Sequence, residues 1–303
     1  MTLQPTPVVS VKPVLLPVPD RGTDLRVRVS APIAGDELPV VVFSHGYGKS
    51  LDDYAPLVDH WTAHGLVVVQ PTHLDSKTLA IPPDDPRTPE IWRFRIDDLV
   101  RVVDALDTLV GAVPGLSDRV DGDKIAVAGH SWGATTASAL LGARVIGTDE
   151  AVGEDMTDPR VTAGVLLALA GEGGENLTPF AAQHFPFMSP DFSRMIPPAL
   201  LVAGDQDQSL LSVRGPDWWS DGYRKSPGDK SLLTLFGAQH SLGGISGYAA
   251  AETTDENPDR VALLARVTTD YLHHVLTKND AGWKADVAAL RDGTHALGRL
   301  ETN

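Results

Sequence analysis

Lys124-Ile-Ala-Val-Ala-Gly-His-Ser-Trp-Gly-Ala-Thr-Thr-Ala-Ser-Ala-Leu-Leu141 is the stretch that decides the fold. It opens on an apolar run of strand length, turns through Gly129-His-Ser-Trp-Gly133, and continues into an alanine-rich segment suited to a helix. A G-x-S-x-G alone arises by chance in about one chain in ten of this length. Between a strand and a helix it means more. Ser131 then sits on a sharp turn that projects its hydroxyl from the sheet, and the helix behind it favours developing negative charge. The two glycines have a mechanical reason, since so tight a turn leaves no room for a Cβ.

Working outward, short β-branched runs alternate with longer helical stretches. Residues 8–16 and 25–30 read as an antiparallel pair, joined by a turn through Pro19-Asp-Arg-Gly22. Residues 40–44 and 66–70 are apolar throughout, as strands buried on both faces should be, and a helix over 51–64 lies between them, closed by Gly65. From 89 to 110, Ile96, Leu99, Val100, Val103, Leu106, Leu109 and Val110 recur at spacings of three and four and paint one helix face. After the serine turn come strands at 161–169, 199–203 and 231–236. Asn257 and Pro258 offer an N-cap and a first-turn proline to a closing helix that runs to about Leu276, and a weaker helix spans 281–290. The expectation is an α/β fold: a mostly parallel eight-stranded sheet flanked by helices, in one domain over 1–303. Its core covers about 20–276 and a helical extension 277–303.

Two stretches break the rhythm: the Pro- and Asp-rich segment 71–88, and 171–198, which carries Phe180, Phe185, Phe187 and Phe192. Long loops in compact domains tend to be functional, and aromatic-rich ones are seldom disordered, so 171–198 reads as a small cap over a site.

Composition narrows the chemistry. Of 303 residues, 42% are hydrophobic and 21% charged, enough for a sizeable core. Lys and Arg number 25 against 40 Asp and Glu, a net charge of −15 that repels phosphate backbones and anionic lipid, so nucleic acid is not an expected partner. The absence of Cys excludes disulfides, Cys-ligated metals and a thiol nucleophile. No apolar run approaches the roughly 18 residues of a membrane span. Met1-Thr-Leu-Gln-Pro-Thr-Pro7 has neither a basic n-region nor an apolar h-region, which makes the cytoplasm the expected compartment.

A serine nucleophile needs a base and a group to hold that base. His240, in Phe236-Gly-Ala-Gln-His240-Ser-Leu-Gly-Gly244, directly follows a strand, whereas His184 lies in the aromatic segment and His273, His274 and His295 in the helical end. Ala203-Gly-Asp-Gln-Asp207 ends a buried strand between the two; Asp207 is favoured over Asp205 because it stands on the loop beyond the strand. An oxyanion needs two backbone amides already aimed at it. Trp132 supplies one, and Tyr47, between small residues in Phe43-Ser-His-Gly-Tyr-Gly48, supplies the other. Candidate substrate-binding residues are His130, Phe180, Phe185, Phe187 and Phe192, with Trp218 and Trp219 beyond the acid; the bland reading is that these aromatics only pack the cap onto the sheet. Gly48-Lys-Ser50 is not a phosphate loop, because Phe43 stands where that motif needs Gly. His60 and His64 share a helix face without a His-Glu-x-x-His, and neither a metal nor a cofactor is expected.

Together these residues resemble the α/β-hydrolase pattern over roughly residues 20–276. More narrowly, Phe43-Ser-His-Gly-Tyr-Gly48, His64-Gly-Leu-Val-Val-Val-Gln70 and Gly129-His-Ser-Trp-Gly133 look like the branch that holds chlorophyllases, platelet-activating-factor acetylhydrolases, dienelactone-hydrolase-like proteins and bacterial polyester hydrolases. Arg95-Ile-Asp-Asp98 resembles an Arg-x-x-Asp of that branch with a structural role. The resemblance implies a Ser–His–Asp carboxylester hydrolase without a cofactor, while the candidate pocket aromatics and the net charge of −15 point to a neutral, apolar group on a small-molecule ester. It carries no particular substrate over. Lack of Cys sets aside dienelactone chemistry in its strict form, and lack of a signal peptide and disulfide speaks against an extracellular polymer. Activity is expected to fall below about pH 6.5, the ordinary histidine value. Alternative readings are an amidase or lactonase with the same triad, or a non-catalytic small-molecule binding protein on the same fold.

Overall fold

Alternation along each strand assigns the side chains to two cores. Val40 and Val42 point to one face of the central sheet, while Val41 and Phe43 point to the other. The computed structural model describes residues 4–82, 84–147, 151–248 and 254–303. Strands β1 (Val8–Leu16), β2 (Leu25–Pro32) and β3 (Leu38–Ser44) are followed by helix α1 (Ala55–Ala63) and strand β4 (Val67–Pro71). Helices α2 (Ile91–Asp104) and α3 (Leu106–Gly111) lead into β5 (Val120–His130) and α4 (Trp132–Leu140). The short β6 (Arg144–Val145) precedes β7 (Val161–Leu167), α5 (Pro179–His184), the short β8 (Pro190–Asp191) and β9 (Ala199–Gly204). Helix α6 (Asp221–Lys225), strand β10 (Lys230–Leu235), helices α7 (Pro258–Thr277) and α8 (Ala281–Leu290), and strand β11 (Gly298–Thr302) complete the chain.

The sheet runs β1-β2-β4-β3-β5-β7-β9-β10-β11. Its interior pairs are parallel, and antiparallel pairing is confined to β1 with β2, β2 with β4, and β10 with β11. On one face lie α2, α3 and α4, through Leu99, Val103, Leu109 and Ala137; on the other lie α1, α7 and α8, through Trp61, Leu264, Leu272 and Leu290. Burial of this kind contributes about 1.5–3 kcal/mol per large apolar side chain.

Three details differ from the sequence reading. The sheet has nine strands, not eight, because the end of the expected helical extension returns as β11 beside β10, placing Leu300 in the core. Only five residues long and interrupted by the charges of Arg299 and Glu301, β11 has too little pattern to stand out. Helix α1 starts at Ala55 rather than near 51, since Pro56 has no N–H to donate and suits a first turn. The helix expected over 89–110 is broken at Ala105 into α2 and α3. The Asn257 cap forms as expected, its side chain accepting the Arg260 N–H at 2.9 Å.

Candidate active site

Ser131 is the single residue between β5 and α4, held at φ 56° and ψ −122°. That backbone region is costly for a side chain with a Cβ, by about 1–3 kcal/mol, and the surroundings enforce it. Ser131 N–H donates to Leu167 O at 2.9 Å, and its carbonyl accepts the Ala134 and Thr135 amides at 2.9 and 3.1 Å. The glycines are obligatory: a Cβ at Gly129 would lie 2.2 Å from Gly133 O, and one at Gly133 would lie 1.9 Å from Ser44 O. That second approach brings the start of α4 against the loop that follows β3.

Two further strand ends converge on the serine. His240, on the loop after β10, has Nε2 2.8 Å from Ser131 Oγ and Nδ1 2.9 Å from Asp207 Oδ2. Asp207, on the loop after β9, is 1% exposed, while the His240 side chain remains 43% exposed. A carboxylate only accepts, so Nδ1–H donates to Asp207 and Nε2 is left to accept the serine proton. The Trp219 indole donates to Asp207 O at 2.9 Å and packs 5.0 Å from the His240 ring. Asp205 is committed elsewhere: its carboxylate accepts the Gly237 N–H at 2.7 Å and pins the turn leading to His240.

The loop after β3 is clamped so that one amide is left over. Gly46 N–H donates to Tyr54 Oη and Gly48 N–H to Asp75 Oδ2, each at 3.0 Å. Arg95 grips the same loop from behind, donating to His45 O, to Asp75 Oδ1 at 2.6 Å and to Thr136 Oγ1 at 3.0 Å. Burial works against an ionised Asp75, but the Arg95 guanidinium outweighs it and holds the carboxyl below its ordinary range. His45 Nδ1–H donates to Gly46 O at 2.7 Å and its Nε2 accepts the His73 N–H at 2.9 Å, a neutral arrangement that burial favours by pushing the imidazole down to about 4. Among the described residues neither the Tyr47 nor the Trp132 amide has an acceptor. Two N–H groups at the mouth of the site are therefore unspent.

Behind this loop lies a second polar cluster. Asp98 receives Arg21 at 2.8 and 3.2 Å and His73 Nδ1 at 3.0 Å, and His73 Nε2 meets Ser44 Oγ at 2.9 Å. Arg95 and Asp98, expected to be structural, are both buried here.

The expected pocket residues divide. Tyr47, Trp132, Phe185 and Phe187 line a cleft of about 800 Å³, with Phe185 and Phe187 meeting the Trp132 ring edge-on at 5.2 and 5.3 Å. Phe180 is exposed at the rim, 5.8 Å from Phe185. Phe192 and Trp218 do not line the cleft; both are fully buried in the core, and the Trp218 indole is spent on Glu172 O at 2.9 Å. Trp219 backs His240 instead of facing the cleft. His130 is buried too, with Nδ1 3.0 Å from Tyr54 Oη and Nε2 2.8 Å from His240 O. The opposite wall comes from residues 74–77, 80–82, 84–89 and Ile91, with Gln183, His184 and Pro186 beside the two Phe. Sequence reasoning marked the Pro-rich character of that segment but did not assign it to the site. Its signal was the interrupted helix rhythm itself. Among the described residues no group of three or more metal-ligating side chains could hold an ion, and no helix is long and apolar enough to cross a membrane.

A mostly parallel sheet flanked by helices, with a G-x-S-x-G on the strand-to-helix turn of its central strand, is the α/β-hydrolase fold, and the chain has it. Within that class it resembles the chlorophyllase branch. The chlorophyllase family model matches residues 17–148, which takes in the Tyr47 loop and the Ser131 turn and stops before Asp207 and His240. Chlorophyllase-1 of Arabidopsis thaliana is 26% identical over 195 residues, which cover 63% of this chain and 51% of that protein. The chain thus spans about half the length of that curated relative.

Proposed function

We propose that the chain is a serine carboxylester hydrolase acting through an acyl-enzyme on a neutral, apolar ester. His240 Nε2 takes the Ser131 proton as Oγ attacks the ester carbonyl, and Asp207 steadies the imidazolium that forms. The tetrahedral oxyanion is received by the Tyr47 and Trp132 amides, each contributing about 3–4 kcal/mol to transition-state stabilisation. Collapse breaks the ester C–O bond, and the alcohol leaves with the proton from His240. Water, deprotonated by the same nitrogen, then releases the acid and restores Ser131.

What carries this reading is the 2.8 Å contact between His240 Nε2 and Ser131 Oγ on a strained turn beside two unspent amides. Similarity to a chlorophyllase supports hydrolase chemistry in general. The apolar group is inferred from the walls of the cleft, where Tyr47, Trp132, Phe185 and Phe187 face Pro- and Ile-bearing segments. The test is hydrolysis of a p-nitrophenyl ester series from acetate to dodecanoate, with Ser131→Ala in parallel. Turnover that falls by a factor on the order of 10⁴ or more in the variant is the expected result. A folded wild-type chain that hydrolyses no ester in the series would sink the proposal.

A further inference from the structure

Three loops must keep their relative positions for the proposed chemistry: the one bearing the Tyr47 amide, the serine turn, and the one bearing His240. A single buried relay touches all three. Gly46 N–H donates to Tyr54 Oη at 3.0 Å, and Tyr54 Oη lies 3.0 Å from His130 Nδ1. His130 Nε2 lies 2.8 Å from the His240 carbonyl. A carbonyl accepts only, so Nε2 carries the proton and Nδ1 is bare. Tyr54 must then donate its hydroxyl proton to Nδ1, which leaves its oxygen free to accept from Gly46. Every donor and acceptor has one role, and the direction of the chain is determined from end to end.

Tyr54 is also bound to the third loop directly, through its backbone N–H to Ser246 O at 2.9 Å. Its backbone is held at φ 69°, a left-handed conformation that a tyrosine adopts only when its surroundings require it. Neither ring is exposed to the cleft: Tyr54 is 0% and His130 6% exposed. His130, expected at the sequence level to touch substrate, is spent on protein contacts.

We propose that Tyr54 and His130 are positioning residues that hold the oxyanion loop and the His240 loop in register across the serine turn. The inference rests on the ester-hydrolase reading above and extends it to residues that never meet the substrate. Donors displaced by a fraction of an ångström lose most of their effect on a developing charge, while substrate binding in the cleft is unaffected.

The experiment compares Tyr54→Phe, His130→Leu, His130→Gln and the double variant Tyr54→Phe/His130→Leu on p-nitrophenyl butyrate. Tyr271→Phe is the control, because that buried hydroxyl has no partner among the described residues. Expected are losses in kcat on the order of 10- to 100-fold for Tyr54→Phe and His130→Leu, with KM within about twofold. His130→Gln, which restores an N–H toward the His240 carbonyl, recovers most of the loss. The double variant falls no further than the worse single one, because both cut the same relay. Retention of kcat within about twofold by either single variant, or losses that multiply, would overturn the inference. A second readout does not depend on turnover or on the folding of Tyr54→Phe. 15N-histidine NMR of the intact chain at pH 7 should show, besides His273, whose Nε2 faces the His64 carbonyl at 2.8 Å, a neutral imidazole protonated at Nε2 and bare at Nδ1 whose signals are absent from His130→Gln. The opposite tautomer overturns the relay even in a chain that hydrolyses esters. An inactive wild type sinks the esterase reading, and the relay then stands or falls on that spectrum.

Discussion

The protein contains two hydrogen-bonded Ser–His–Asp chains with nearly the same spacings. In one, Ser131, His240 and Asp207 are joined at 2.8 and 2.9 Å; in the other, Ser44, His73 and Asp98 are joined at 2.9 and 3.0 Å. Their surroundings differ in every way that matters to chemistry. Ser131 stands on a strained turn at the start of a helix, whereas Ser44 closes a regular strand and also accepts Arg95 Nη2 at 3.3 Å. His240 is 43% exposed, while the His73 and Asp98 side chains are both 0% exposed. Burial, then the charges of Arg95 and Arg21, push the His73 imidazole well below its ordinary value and keep it neutral. Ser44 itself is fully buried. Three residue types at hydrogen-bonding distance therefore do not make a site. Access, waiting donors and a base with room to change charge do. The buried chain has a different use, tying β3, the end of β4 and α2 together directly behind the loop that carries Tyr47.

That contrast breaks most sharply by substituting the two serines. Ser131→Ala is expected to remove activity by a factor on the order of 10⁴ or more without loss of stability, since its hydroxyl sits on a strained turn. Ser44→Ala should do the reverse: kcat stays within severalfold, while stability drops by about 1–3 kcal/mol as buried His73 Nε2 loses its partner. Chemical denaturation and ester hydrolysis on the same preparations check both, and a Ser44→Ala variant as dead as Ser131→Ala would erase the distinction.

Asp98→Ala removes the acid of the buried chain and strands Arg21 without water. A loss of about 3–5 kcal/mol in urea unfolding is expected. A variant as stable as the parent would mean that the cluster is not holding the fold.

Acid should act through the same interior. His45, His73 and His130 are pushed down by burial, to about 4 for His45 and about 3 for His130. As pH falls from 6.5 the unfolded chain takes up protons that the folded chain refuses, so stability is lost on acidification. Each of the three contributes up to about 1.4 kcal/mol per pH unit until its folded value is reached. Asp98 opposes this with one proton, because burial pulls its carboxyl up to about 6. Urea midpoints at pH 7, 6, 5 and 4.5 should fall steadily, and a flat series would contradict neutral buried imidazoles. Smallest of all is Tyr271→Phe, whose hydroxyl, unpartnered among the described residues, can be removed with a change within about 0.5 kcal/mol.

Legibility in the sequence followed locality. The serine turn, the two amide positions and the loops bearing Asp207 and His240 each lie within a few residues of a recognisable strand end, where chain direction alone aims them at one edge of a parallel sheet. Trp218 and Phe192 share the composition of pocket residues but lie in the core, because a Phe or Trp on a loop carries no periodicity to say which way it points. β11 escaped because five residues alternate too briefly to be told from a helical tail. The cleft wall from 74–82 and 84–91 escaped because its prolines mark where helix is absent, not where the chain goes.

By itself, then, the sequence determined the class of fold, the succession of its central strands along the chain, and the turn on which Ser131 is presented. Those follow from periods of two and 3.6 residues and from glycines that only a close backbone approach requires. Which of two Ser–His–Asp chains keeps its histidine in reach of solvent was decided by tertiary structure, as was the commitment of both His130 nitrogens to protein contacts. The physical reason is that burial and hydrogen-bond direction belong to pairs of groups. The partners here stand 109 residues apart for Ser131 and His240, and 76 for Tyr54 and His130, and nothing in the local chain records that they meet.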